Sequence, residues 1–334
     1  MAVETSCDET AAAVVQDGRL VLSDEVFSQI DIHREYGGVV PEIASRSHIE
    51  KLPLVVPAAA EAAGGRDNID AVAVTYGPGL VGALLTGVSY AKALAYAWKK
   101  PLVPVNHIAG HICSNYISHP GLEPPFLCLV ISGGHTQIVQ VRGYDDYVTI
   151  GQTRDDAAGE AIDKVARVLG LEYPGGPNLQ KYAMQGDPEK YQLPRAFRGE
   201  THLDFSFSGL KTAVINMLHR FGQTGEPYKG EDVAASFLKT VADTLAANCF
   251  EALGCSGGRK LAVAGGVSAN AQIRAAILDR AEREDVQVYF PKSEYCTDNA
   301  AMIASAGFYA HQAGKTAGMD LNARPVEELG EVRC

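Results

Sequence analysis

Over the first fifty positions apolar residues come in short runs broken by turn residues. "AAAVV" and "LVLSDEVFSQI" flank the Asp17-Gly18 turn of "QDGR" and predict a β-hairpin. The pattern then turns helical through "PEIASRSHIEKLPLVVPAAAEAA". "IDAVAVTY" reads as a buried strand, "GPGLVG" as a glycine loop and "ALLTGVSYAKALAYAWKK" as a long helix. "PLVPVN" predicts a further short strand that delivers the chain to a helix, "HIAGHICSNY". A similar series begins at residue 125. Strands "PFLCLVIS" and "QIVQVRG" flank the turn "GGHT", and the helices "AAGEAIDKVARVLG" and "EDVAASFLKTVADTLAANCFEALG" follow. "RKLAVAGGVSAN" is a strand running into a glycine turn, "AQIRAAILDRAERED" a helix, "VQVYFP" a last strand and "DNAAMIASAGFYAHQAG" a closing helix. Two such rounds predict two α/β domains of related topology, with the ligand site in a cleft between them. Residues 172–230, rich in Gly and Pro and weakly periodic, predict an irregular excursion with short helices.

Composition narrows the class. The 334 residues are 46% hydrophobic and 21% charged, enough for two domains with buried cores. No apolar run reaches the roughly 18 residues of a membrane span, and "MAVETSCDET" has neither a basic-then-apolar leader nor an arginine-rich presequence. These features predict a cytoplasmic protein. The seven cysteines (Cys7, Cys113, Cys128, Cys249, Cys255, Cys296 and Cys334) form no C-x-x-C pair and read as mostly buried thiols. With 29 basic against 40 acidic residues the formal charge is −11, which opposes a grip on nucleic acid by bulk charge. Any nucleic-acid role calls for a local basic patch or a partner.

The candidate chemistry begins with His107 and His111. Side chains four apart on a helix lie about 5–6 Å apart at Cβ, within reach of one ion. The same spacing also suits two ordinary surface or core histidines, and spacing alone leaves both readings open. A zinc protease would need Glu after the first histidine, where Ile108 stands. "GPGLVG" matches the dinucleotide fingerprint G-x-G-x-x-G, but no Asp or Glu occurs from Ala71 to Leu122 to hold a ribose, so that reading fails. "SGLK", Ser208 to Lys211, matches S-x-x-K without the companion S-D-N and K-T-G motifs and reads as chance. "VISGGHT" and "AVAGGVSAN" are glycine turns after strands, whose successive amides suit an anion. As a pair they resemble the phosphate and adenosine loops of the actin, Hsp70 and sugar-kinase superfamily and point to an adenine nucleotide.

Taken in order, "ETSCDET", "HREYGGVVPEIASRSH", "YGPGLVGALL", "NHIAGH", "VISGGHTQ", "DDAAGEAIDKVARVLGLEYPGGP", "DFSFSGLKT", "AGGVSAN" and "CTDNAAMIA" resemble the tRNA N(6)-adenosine threonylcarbamoyltransferase family, formerly described as sialoglycoprotein endopeptidases. The likeness spans nearly the whole chain and is to the bacterial branch. It implies an α/β fold of two related domains of the actin/Hsp70/sugar-kinase-like (ASKHA) superfold with an interdomain cleft. The N-terminal subdomain would comprise residues 1–110 plus 300–334, and the second 111–299. His107, His111 and Asp298 of "CTDN" would hold one divalent metal per subunit, Fe(II) favoured and Zn(II) possible. Val130, Ile131, Ser132, Gly133, Gly134, Asp163, Gly176 and Asn270 would bind the substrate nucleotide. Asp8 and Glu9 would lie near the metal as catalytic residues, the alternative being a turn of capping acids.

The implied reaction moves threonylcarbamoyl from threonylcarbamoyl-adenylate to the 6-amino group of the adenosine 3′ to the anticodon, in tRNAs reading ANN codons, and releases AMP. Implied partners are tRNA, a paralogous scaffold protein forming a heterodimer, and a small ATPase; no membrane is involved. Residues 181–220 fit that dependence, with Lys181, Lys190, Arg195, Arg198, Lys211 and Arg220 set against four acids. The opening "MAVETS" is a few residues shorter than the family's usual first strand, which predicts a weakened sheet edge. Three rivals stand beside this reading: a small-molecule kinase or ATPase of the same superfold, a metalloprotease, and a scaffold without activity. The di-histidine pair opposes the first, the missing Glu the second, and the intact ligand set the third.

Overall fold

A computed structural model describes residues 1–197 and 202–332, so Arg198 and Cys334 lie outside the described residues. The chain divides into two compact units. The first comprises 1–124, 141–147 and 290–331; the second comprises 125–140, 148–289 and 332.

The first unit opens with β1 (Ala2–Glu4), β2 (Glu9–Gln16), β3 (Leu20–Ser28), a short α1 (Ile30–Arg34) and α2 (Pro41–Ala62). It continues with β4 (Val72–Gly77), α3 (Val81–Trp98), β5 (Leu102–Asn106) and α4 (His107–Ser118). The sheet order is β3-β2-β1-β4-β5. The predicted hairpin is β2–β3. Its turn residues Asp17 (φ 52°) and Gly18 (φ 71°) are both left-handed, as a two-residue hairpin turn requires. The first strand is not at a sheet edge. β1 is the central strand, antiparallel to β2 and parallel to β4, and is wholly buried.

Along α2 the buried positions Ala44, His48, Leu52 and Val56 recur every fourth residue and face the sheet. Pro53 and Pro57 fall on the exposed side of the same helix, where water can reach the carbonyls they leave unpaired. Leu52 and Val56 pack with Val3, Val72, Val74, Val88 and Leu102 in the core. Each such side chain contributes about 1.5–3 kcal/mol by leaving water.

The second unit runs β6 (Phe126–Ile131), β7 (Thr136–Gly143), β8 (Asp146–Gln152), α5 (Ala158–Val168), α6 (Gly175–Ala183), α7 (Ser208–Thr224), α8 (Gly230–Ser256), β9 (Lys260–Ala264), α9 (Ala271–Glu284) and β10 (Gln287–Tyr289). The chain then returns to the first unit in α10 (Ala300–Gln312) and ends in the two-residue β11 (Glu331–Val332). The second sheet has the order β10-β9-β6-β7-β8-β11. Read from β8 to β10, its five strands repeat the order of the first sheet. The parallel set β6-β9-β10 also matches β1-β4-β5.

The duplication is therefore present, but its equivalences are offset by one strand from the sequence expectation. β2–β3 corresponds to β7–β8 and not to β6–β7. β1 is only three residues long and β8 mixes polar with apolar residues, so neither carries a strong strand pattern. Residues 172–230 hold more order than expected. Leu210, Val214, Leu218 and Phe221 form the buried stripe of a 17-residue helix, α7. Among the described residues no helix is long and apolar enough to cross a membrane.

At the start of α10, Asp24 of β3 is largely buried and its Oδ1 has no hydrogen-bond partner. Burial raises its pKa from 3.8 to about 6, against the opposing amides of Ala301 and Ala300. Between those two values the folded chain holds a proton that the unfolded chain has lost. Stability therefore falls as pH rises through that window and is flat above it. Asp24→Asn should accordingly stabilise the protein at pH 8 by about 1–3 kcal/mol and lose most of that gain near pH 4. Denaturant unfolding at the two pH values measures this, and an equal gain at both would count against it.

Candidate metal centre and glycine turns

β5 and α4 meet at Asn106. Its side chain accepts from the amide of Ile108 at 2.8 Å and so starts the helix at His107. His107 and His111 then project from consecutive turns, with ring centroids 4.6 Å apart. Ile108 between them is a core residue, so no base stands in the metalloprotease position. Asp298 is brought in from far along the chain, just before α10. Its Oδ1 lies 3.5 Å from His107 Nε2 and 3.3 Å from His111 Nε2. The candidate ligand atoms of His107, His111 and Asp298 all lie within 4.8 Å of one another.

Two further observations fit this group to a metal. His111 is completely buried, yet among the described residues its Nδ1 has no hydrogen-bond partner and its Nε2 faces only the Asp298 carboxylate, at 3.3 Å. A buried imidazole left that way is costly unless something else takes its lone pair. His107 meanwhile has its other nitrogen supported. Nδ1 lies 3.1 Å from Ser6 Oγ and 3.4 Å from Glu4 Oε2. A carboxylate behind a ligating imidazole fixes its tautomer and raises its basicity.

Glu4 is itself wholly buried on β1, held by the amide of Ser6 at 2.5 Å and by the Thr75 hydroxyl. Burial works against charge on Glu4, but His107 beside it outweighs burial and holds the carboxyl below its usual range. Burial also opposes charge on His107. The Asp298 and Glu4 carboxylates prevail there and push its pKa up to about 9. Burial wins at His111 and lowers it. A metal entering this group at neutral pH would displace a proton from His107. Glu4 and Ser6 were not singled out from the sequence. The available signal was an acid and a serine closing an otherwise apolar first strand.

Asp8 and Glu9 belong to the same neighbourhood. Asp8 is buried and its Oδ2 has no hydrogen-bond partner. Burial, followed by the fields of Asp298 and Asp8, drives the Glu9 carboxyl well above the usual range. Ser28 Oγ donates to Glu9 Oε1 at 3.2 Å.

The remaining sequence-derived residues lie in the second unit. Val130 and Ile131 end β6 in the core, and Ser132, Gly133 and Gly134 form the turn after it. The Ser132 amide donates to the His135 carbonyl at 2.8 Å, which closes that turn. α5 begins against it: a Cβ on Gly159 would stand 2.9 Å from the Gly133 Cα. One helical turn along α5, Asp163 accepts from the amides of Gly176 and Gly175, the first residues of α6. Burial raises the Asp163 pKa, and those two amides hold it back. Farther along α6, Gln180 Oε1 accepts from Ala271 at 2.8 Å, at the start of α9. Asn270 caps that helix through Oδ1, at 3.0 and 3.1 Å from the amides of Gln272 and Ile273. The glycine turn, Asp163, Gly176 and Asn270 are thus linked through the starts of α5, α6 and α9.

The glycines differ in what they need. Gly265 has φ +88° and backs onto the Ile131 carbonyl, so no side chain fits there. Gly133, Gly134 and Gly176 have neither a left-handed φ nor any atom within 4 Å of a built Cβ. Nothing among the described residues requires glycine at those three positions.

The S-x-x-K match has a structural explanation. Asp155 accepts from the amides of Phe207 and Ser208 and from Ser206 Oγ, capping α7 from outside, and Lys211 is ion-paired to Asp156 at 2.6 Å.

A family model described as tRNA N6-adenosine threonylcarbamoyltransferase matches residues 20–305 of the chain. Proteins bearing that same name are similar over nearly their full length. One from Clostridium beijerinckii is 53% identical over 332 residues, covering 99% of this chain and 98% of that protein. One from Caldicellulosiruptor saccharolyticus is 53% identical over 330 residues, covering 98% of each. Among solved structures, full-length HypF in its phosphate- and nucleotide-bound form matches with a TM-score of 0.61 at 13% identity, over 93% of this chain and 46% of that one. The activator of the 2-hydroxyisocaproyl-CoA dehydratase from Clostridium difficile with bound ADPNP matches with a TM-score of 0.51 at 14% identity, over 94% of each chain. At such identities the likeness shows the fold alone, the α/β superfold of actin, Hsp70 and the sugar kinases.

Proposed function

The chain belongs to the tRNA N6-adenosine threonylcarbamoyltransferase family, a family of transferases that modify tRNA, and from that premise we propose the particulars of its reaction. Threonylcarbamoyl-adenylate is the donor, and the acceptor is the 6-amino group of the adenosine 3′ to the anticodon in tRNAs reading ANN codons. The amine nitrogen bonds to the carbamoyl carbon, the bond from that carbon to the phosphate oxygen breaks, and AMP leaves with the electron pair. The observation that carries this reading is the His107–His111–Asp298 group, in which His111 is wholly buried and its Nδ1 has no partner among the described residues. A divalent metal there, Fe(II) in preference to Zn(II), would supply Lewis acidity and a fixed anchor for substrate oxygens.

The chain's own residues divide the remaining work. The amides of Gly133 and Gly134, in the turn that the Ser132 amide closes, would face the phosphate and stabilise charge on it as it departs. The absence of side chains at Gly133, Gly134 and Gly176 supports this, because it leaves the backbone open to close approach. Asp163 and Asn270 flank the nucleoside, with Asp163 suited to accept from ribose hydroxyls. Glu9, with Asp8 beside it, takes the proton released by the amine. An exocyclic adenine amine is a poor nucleophile, so alignment of donor and acceptor supplies much of the acceleration.

Transfer by this chain depends on partners, a paralogous scaffold protein and a small ATPase. Its likeliest basic stretch is already committed in part. Lys211 is tied to Asp156, Arg195 donates to the Asp243 carbonyl, and Arg220 lies over the Phe221 ring. The scaffold's place is the face shared by α2 and α3, where Ile49, Leu54, Val81, Leu85 and Tyr96 are all exposed. A paralogue would present the same helix pair. The lone protein should therefore transfer at least about tenfold more slowly at ~0.15 M salt than with partners present. Leu54→Asp together with Leu85→Asp should remove the stimulation and leave folding intact, since both side chains point to solvent. Reconstituted assays from threonylcarbamoyl-adenylate decide this, and rapid multiple turnover by the lone chain would refute the dependence.

A further inference from the structure

His48 is not one of the candidate metal ligands, yet it holds both ends of the segment that carries Asp8 and Glu9. It lies on the buried side of α2 with no exposed surface. Nε2 is 3.0 Å from the carbonyl oxygen of Cys7, and Nδ1 is 2.8 Å from Thr10 Oγ1. A carbonyl only accepts, so Nε2 carries the proton and Nδ1 receives the Thr10 hydroxyl. The opposite tautomer would set an imidazole lone pair against the Cys7 carbonyl. Burial lowers the pKa of the ring and keeps it neutral, in the state these two bonds require.

A buried histidine usually serves only its own core. Here both bonds leave α2 and converge on residues 7 and 10, which bracket the two acids. The next contact reinforces them. Gln29 places Nε2 3.5 Å from His48 Nδ1, and its amide donates to the Asp8 carbonyl at 3.1 Å. Residues 7 to 10 are therefore held from two sides, by α2 and by the chain leaving β3. Glu9 and Cys7 both sense the charge of Asp298, a member of the candidate metal group.

We propose that His48 is a positioning residue for the transfer reaction, clamping the Cys7 carbonyl and the Thr10 hydroxyl so that Asp8 and Glu9 stay aimed at the His107–His111–Asp298 group. This rests on the function proposed above, in which Glu9 takes the proton from the attacking amine. Displacing a reacting group by about 1 Å can cost on the order of 10²-fold in rate, so loss of the clamp should act on the chemical step and not on binding.

The experiment uses the full chain with its partner proteins in single-turnover transfer, and compares His48→Asn, His48→Gln and Thr10→Val. An Asn side chain can keep the acceptor for Thr10 but cannot reach Cys7. Gln places an N–H where Nε2 was. His48→Asn should slow transfer about 10–100-fold, with metal content and half-saturating adenylate concentration unchanged within about twofold. His48→Gln should restore the rate to within a few-fold of wild type, and Thr10→Val should fall between the two. Because His48 acts through Glu9, adding His48→Asn to Glu9→Gln should slow the reaction no further than Glu9→Gln alone.

Multiplying effects in that double variant would overturn the proposal, as would a His48→Gln as slow as His48→Asn. Amide hydrogen exchange reports independently of activity: His48→Asn should speed exchange at residues 7–10 and leave the rest of the first sheet unchanged. If the wild-type protein transfers nothing, the proposed function fails. The exchange measurement still decides the clamp, and unchanged protection at residues 7–10 would overturn it.

Discussion

Alanine in place of His111 should strip the metal from the protein and abolish tRNA modification while the fold stands. His111 is wholly enclosed, its Nδ1 has no hydrogen-bond partner among the described residues, and its Nε2 faces Asp298 Oδ1 at 3.3 Å. Without it, one imidazole and one carboxylate remain as donors. Outer-shell partners of metal ligands already cost 10–100-fold when removed, so loss of a ligand should cost at least about 10²-fold in affinity and in rate. The expected penalty to stability is about 1–3 kcal/mol, against the 5–15 kcal/mol typical of a folded domain. Asp298→Ala should behave the same way, because its carboxylate faces both histidines. Elemental analysis, far-UV circular dichroism and the transfer assay together decide the matter. Full metal occupancy in both variants would sink the assignment.

The second large effect separates two glycines that look alike in the sequence. Gly133→Val should weaken binding of AMP or a stable adenylate analogue at least about tenfold, a change of ~1.4 kcal/mol, and leave thermal stability unchanged. The backbone there tolerates a side chain, and the Cβ would enter open space where a phosphate is proposed to approach. Gly265→Val should do the reverse in kind. With φ +88° and the Ile131 carbonyl against it, the substitution should cost about 3 kcal/mol or more of stability. Calorimetry and thermal unfolding on both variants distinguish the cases. Unchanged nucleotide affinity in Gly133→Val would remove this turn from the phosphate site. Asn270 needs a gentler probe, because Ala would also lose the α9 cap, worth about 1 kcal/mol. Asp keeps the cap and tests the amide alone.

Much of the fold was legible because strands and helices announce themselves through local period. The Asp17-Gly18 turn, the buried stripe of α2 and the glycine turns after β6 and β9 all depend on neighbours a few residues away. So does the pairing of His107 with His111 on consecutive turns of one helix. The sequence by itself also settled the family, since its motifs recur in order along nearly the whole chain.

Tertiary structure alone decided what lies beside what. Asp298 faces the histidines from nearly two hundred residues away, and spacing within one element says nothing about such an approach. Glu4 supports His107 from a separation of 103 residues, and only the placing of β1 at the centre of the sheet, beside β4, makes that contact possible. Asp163 reads in sequence as a charged residue on a helix face, yet it also receives the amides that open α6. His48 stands 41 and 38 residues from Cys7 and Thr10, and only the fold brings those two to its nitrogens. Local periodicity sets which side of an element a residue occupies. Only closure of the sheets, which joins segments far apart along the chain, sets which chemical group waits on that side.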